Sequence, residues 1–152
     1  MELRSRLNTA LKDAMRAKEA DRLSTLRLIS AAIKDRDIAL RGEGDDGGVG
    51  EPEVLAILGK MVKQRQESAR AYEEGARLEL ADRERQEITI IEEFLPRQLD
   101  DDETAAAVEA AIALTGAATI RDMGKVMGEL KGKFTGQMDF GKVGPMVKKI
   151  LG

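Results

Sequence analysis

The chain has 152 residues, of which 42% are hydrophobic and 35% charged, enough for a core and a solvated surface in one medium domain or two small ones. It contains no cysteine and no histidine, which excludes disulfides, thiolate or imidazole metal sites, cysteine nucleophiles and histidine-based triads. The net charge of −3 hides an uneven distribution: residues 1–41 carry ten basic and six acidic groups, residues 82–109 three and ten, and residues 121–152 seven and three. Basic ends around an acidic middle point to an anionic partner.

With three Phe, one Tyr and no Trp, the core falls to Leu, Ile, Val, Ala and Met, a set that favours helices. Residues 2–18 place Leu3, Leu7, Leu11 and Met15 at helical spacing, and residues 21–41 do the same with Leu23, Leu26, Ile29, Ile33 and Leu40. Glycines and acids in residues 42–51 predict a flexible loop that no core holds down. Pro52 suits the first turn of a third helix, which uses Leu55, Leu58, Met61, Val62 and Tyr72 and ends at Gly75. A fourth helix over residues 79–94, with Leu80, Ile88 and Ile91, stops before Pro96. Short connections let these four bury their apolar stripes as a bundle, giving an N-terminal helical domain over residues 1–95.

A second domain, residues 96–152, reads as three shorter helices. Asp100 is an N-cap with Glu103 in the capping-box position, which accounts for the acidic run at residues 100–103 better than a metal site does. Helix five then uses Ala107, Val108, Ala111, Ile112 and Leu114 and stops at Gly116. Thr119 caps helix six, whose apolar side is Ile120, Met123, Val126 or Met127, and Leu130; a turn follows over residues 131–136. Pro145 removes an interior hydrogen bond from any helix begun at Asp139, so the last helix is expected to start at Pro145 with Gly144 as its cap. No internal repeat and no strand alternation is found. The fold class is all-α.

The stretch over residues 120–144 concentrates the chemistry. Gly124, Gly128 and Gly132 recur every fourth residue among Arg121, Lys125, Lys131, Lys133 and Lys142, with Lys148 and Lys149 beyond. The run GELKGK is not a nucleotide-binding loop, because the glycine spacing is one short, Phe134 stands in place of Ser or Thr, and no strand precedes it. Two readings stay open. The cations and glycines form a surface that tracks phosphates, or the lysines are a solvated face and the glycines admit a neighbouring helix. Arg27 with Ser24 and Thr25 reads as bundle surface, and Met123, Met127, Met138 and Met146 as core filling. No catalytic group, metal site, cofactor or small-molecule site is predicted. The longest uncharged run, residues 110–120, is far short of a membrane span, and Glu2, Arg4 and Arg6 charge the start, so no membrane partner and a cytoplasmic location are expected.

Residues 22–29 (RLSTLRLI), 72–77 (YEEGAR), 91–99 (IEEFLPRQL) and 122–128 (DMGKVMG), followed by Gly136, Asp139, Val143, Val147, Lys148 and Leu151, resemble the GatB/YqeY family along essentially the whole chain. The resemblance is strongest to its small stand-alone members. It implies a helical domain followed by one similar to the C-terminal tail of the B subunit of tRNA-dependent amidotransferase, the part that engages the tRNA body. It also implies tRNA and amidotransferase subunits as partners, and it brings the family label of carbon–nitrogen ligase with glutamine as amido donor. The chain lacks an amidase signature, a cysteine or histidine for glutamine hydrolysis and a nucleotide site, so the label belongs to the larger assembly and the chain alone is not expected to catalyse. RNA contact is expected at Arg121, Lys125, Lys131, Lys133, Lys142, Lys148 and Lys149 with Gly124, Gly128 and Gly132. Gly136-Gln137-Met138-Asp139 stands where the family commonly has Gly-Arg-Ala-Asp, removing one expected cation, and Gly144-Pro145 stands where a Ser cap is common.

Overall fold

A computed structural model describes residues 2–44 and 47–152. Among them the chain is all-α: α1 (Leu3–Ala17), α2 (Ala20–Gly42), α3 (Glu51–Glu74), α4 (Leu78–Glu92), α5 (Asp101–Thr115), a short 3-10 turn (Ile120–Asp122), α6 (Met123–Phe134) and α7 (Phe140–Leu151). The chain divides into two compact units, Met1–Leu95 and Pro96–Gly152.

In the first unit the apolar stripes converge on one core. Leu3 and Leu7 of α1, Leu26, Ile29 and Ile33 of α2, Val54, Leu58 and Met61 of α3, Ile91 of α4 and Phe94 are all buried together. Met15, expected on the inner face of α1, is instead 52% exposed, and Ala14 fills that turn of the core. The end of the α2–α3 connection is also held, contrary to the expected free loop. Val49 is buried in the core, and its N–H donates to Asp37 Oδ1 (2.8 Å). Asp37 also takes two hydrogen bonds from the Arg4 guanidinium, at 3.1 and 2.8 Å, and Arg4 donates to the Val49 carbonyl (3.3 Å). The guanidinium and the Val49 N–H hold the Asp37 carboxyl below the usual range. Gly48 has φ +77° and its missing Cβ would lie 3.2 Å from Asp37 Oδ1, so the pin requires glycine there. Asp45 and Asp46 of the same connection lie outside the described residues.

The α3–α4 hairpin ends α3 at Gly75, as expected. Gly75 has an ordinary φ of −84°, and Ala76 is the residue in the left-handed region, at φ +59°. An alanine there carries the Cβ clash that glycine avoids. Ala76→Gly is expected to raise stability by about 1 kcal/mol, read from the shift of the urea midpoint at unchanged slope.

The second unit is organised by α5, α6 and α7 around Val108, Val126, Leu130, Val143 and Val147. Asp100 forms the expected capping box: its carboxylate accepts from the Glu103 N–H (2.7 Å) and Glu103 accepts from the Asp100 N–H (3.2 Å). Arg97 adds two hydrogen bonds to the Glu103 carboxylate, at 2.8 and 2.6 Å. The guanidinium first, and then the Asp100 N–H, hold the Glu103 carboxyl down at about 2, against an ordinary 4.5. The folded value lies below the unfolded one, so the contribution is complete above 4.5 and disappears as pH falls towards 2. Thermal melts of the native chain and Glu103→Ala should therefore differ at pH 6 and converge as the medium becomes strongly acidic.

Two boundaries differ from expectation. Helix α6 runs through Phe134, so residues 131–134 are helical and the turn is confined to the residues after them. Helix α7 begins at Phe140, not Pro145, and contains the proline. The Asp139 carboxylate caps it, accepting from the Gly141 N–H at 2.9 Å. Burial outweighs the hydrogen bond that Pro145 forgoes: Val143 and Val147, at 1% and 0% exposure, share a face only if the helix includes both.

Candidate nucleic-acid interface

Val126 and Leu130 fix the rotation of α6, because both are fully buried and lie one turn apart. At 3.6 residues per turn the opposite face carries Gly124, Gly128 and Gly132, drifting by about 40° at each step. All three are exposed, and a Cβ built on any of them meets no atom within 4 Å. The glycines therefore admit no neighbouring helix of this unit. They form a smooth strip facing solvent, at a helix-propensity cost of about 1 kcal/mol each.

The cations divide around that strip. Lys125 flanks it on one side and Lys131 on the other, while Arg121 in the 3-10 turn lies in line with it; all three are exposed. Lys133 sits further round the helix, where Glu129 pairs with it at 2.8 Å. The i, i+4 spacing of Glu129 and Lys133 signals this pair in the sequence, so Lys133 is the least available of the α6 cations. Asp122 lies just before α6, and its carboxylate is occupied by the N–H groups of Ala118 (2.9 Å) and Thr119 (3.1 Å). Those two N–H groups, with a smaller pull from Lys125, keep the Asp122 carboxyl below its ordinary range.

On α7, Lys142 and Lys149 lie seven residues apart and share one exposed face, while Lys148 is a quarter-turn or so away from them. Arg121, Lys131, Lys142, Lys148 and Lys149 make no ion pair among the described residues. The aromatic side chains of this unit, Phe134 and Phe140, pack on its core and provide no stacking platform. The arrangement suits a rigid anionic backbone held by charge and close approach, not bases held by stacking.

Comparison with known proteins adds identity to this geometry. The family model described as "Yqey-like protein" matches residues 4–151. The "Altered inheritance of mitochondria protein 41, mitochondrial" of Clavispora lusitaniae is 40% identical over 93 residues, which are 61% of this chain and 51% of that protein. Its namesake in Saccharomyces cerevisiae (strain YJM789) is 27% identical over 134 residues, 85% of this chain and 70% of the relative. The first match thus spans about half the length of that relative. These names overturn the expected cytoplasmic location: the relatives are mitochondrial proteins by name, and a charged start does not place the chain in the cytoplasm.

Proposed function

The chain belongs to the Yqey-like family, and from that premise we propose that it is a non-catalytic module that binds structured RNA of the tRNA class. Its relation to tRNA-dependent amidotransferase is then that of an RNA-holding part, with the chemistry supplied elsewhere. The observation that carries the reading is the solvent-facing strip of Gly124, Gly128 and Gly132 between Lys125 and Lys131, where nothing in the unit explains the glycines by packing. A polyanionic backbone explains both features, because the cations neutralise phosphates and the missing side chains let the sugar-phosphate chain reach the helix.

A gel-shift titration with tRNA against salt tests it. With about four phosphates neutralised, the slope of log affinity on log salt should be about −3 to −4. Affinity indifferent to salt would exclude the reading. The glycines offer a second, sharper discrimination. Gly124→Ala with Gly128→Ala should raise thermal stability, by up to about 1 kcal/mol per site, because both Cβ positions are open. The same change should weaken tRNA binding by crowding the strip. Stability and binding that rise together would remove the close-approach role.

A further inference from the structure

Among the clefts lined by described residues of the first unit, four can be compared, and one of these four differs from the others in charge. Beside Phe94, Arg6 and Arg22 face Asp13 and Glu19 in equal number. The neighbouring clefts set Arg22 against Glu19 and Asp21, and Arg83 against Asp21 and Glu87. Between α1 and α2, by contrast, a cleft of about 260 Å³ holds Arg4, Lys34 and Arg41 with Asp37 as its carboxylate.

Helical spacing builds this cleft. Ser30, Ile33, Lys34, Asp37 and Arg41 recur every three or four residues along α2, and Arg4, Leu7 and Asn8 do so on α1. Asp37 is fully engaged: one oxygen binds Arg4 at 2.8 Å, and the other binds Arg4 at 3.1 Å and the Val49 N–H at 2.8 Å. Arg4 and Asp37 therefore cancel, while Lys34 and Arg41 make no ion pair among the described residues. Arg41 is near enough to Asp37 to help hold its carboxyl down, so three cations share one carboxylate. A net charge of +2 remains, together with the Ser30 hydroxyl, the Asn8 amide and an apolar wall of Leu7 and Ile33.

We propose that this cleft binds the terminal phosphate of a phosphate monoester. A monoester carries about −1.5 to −2 charges at pH 7, which the Lys34–Arg41 pair matches, whereas a phosphodiester carries one. Ser30 and Asn8 donate to the remaining oxygens, and the Leu7–Ile33 wall takes the carbon skeleton. The volume is just under the range of sites for larger small molecules, about 300–1,000 Å³, so the ligand is the size of a sugar phosphate or a terminal nucleotide. The assignment stands independently of RNA binding at α6.

Amide NMR titrations of the full chain with inorganic phosphate test the charge requirement. Saturable shifts are expected at Asn8, Ser30 and Lys34, and equal chloride should not reproduce them. Affinity should rise as pH climbs through about 6, where the phosphate loses its second proton. Lys34→Gln with Arg41→Gln, both exposed and so compatible with folding, should weaken binding at least tenfold. Undiminished affinity in that variant, or shifts that chloride reproduces, overturns the proposal. Lys125→Glu with Lys131→Glu should leave the phosphate titration unchanged; loss of binding there would move the site to α6 and overturn it equally. Ribose 5-phosphate and a short RNA, with and without a 5′-phosphate, identify the source. Tighter binding of the 5′-phosphorylated RNA assigns an RNA end, and binding of ribose 5-phosphate with no preference between the two RNAs assigns a free monoester. Failure of both organic monoesters to bind sinks the assignment.

Discussion

Lys125→Glu with Lys131→Glu is expected to weaken tRNA binding about a hundredfold near 0.1 M salt. Every phosphate that a lysine ceases to neutralise takes about 0.9 off the log–log salt slope, a factor of about eight at that concentration, and reversing the charge adds repulsion. The double variant should therefore also flatten the salt slope by about 2. Both lysines are exposed and neither supports the core, so circular dichroism should be unchanged. Lys133→Glu makes a demanding comparison, because Glu129 already pairs with that lysine at 2.8 Å. It should have a much smaller effect. Equal weakening by the two variants would mean that bulk charge, not the glycine-flanking position, governs binding.

Leu130→Ala is expected to destabilise the second unit by about 3 kcal/mol, within the range of about 2–5 found for buried leucines. Leu130 has 0% exposure and lies in the same cluster as Val108, Val126, Val143 and Val147. Small helical units have little stability to lose, commonly a few kcal/mol. Amide hydrogen exchange should show protection in α5, α6 and α7 falling accordingly. Leu114→Ala removes a side chain of the same size that is 65% exposed, and should change stability by less than about 0.5 kcal/mol. A Leu130→Ala variant as stable as Leu114→Ala would contradict the packing of α6 against α5 and α7.

Helix content, the approximate order of elements and the capping box at Asp100 were legible in the chain because each rests on neighbours within four residues. The glycine strip was legible too, as a spacing of four, and so were the lysines around it. What the spacing left open was whether a helix covered those glycines. Coverage depends on which residues α5 and α7 place against α6, and those lie outside the strip altogether. The misplaced start of α7 has the same origin. Pro145 carries a local penalty that reads strongly in the sequence, while the compensating burial of Val143 and Val147 comes from the far side of the core. The glycine content of residues 42–51 points to an unrestrained loop, whereas the Asp37 hydrogen bonds that hold Val49 involve Arg4 and α2 and cannot be inferred from that content.

By itself, the amino-acid sequence determined that this chain is all-α, that cysteine and histidine chemistry is closed to it, and that positive charge gathers at its two ends. These follow from composition, from short-range periodicity and from hydrogen bonds between near neighbours. Tertiary structure alone decided that Gly124, Gly128 and Gly132 are exposed with no helix of their own unit over them, that Asp37 is paired with Arg4, and that Lys34 and Arg41 leave the cleft beside it with a net positive charge. Exposure and charge balance are sums over everything that comes near a residue in space, and Arg4 and Asp37 meet across 33 residues of chain.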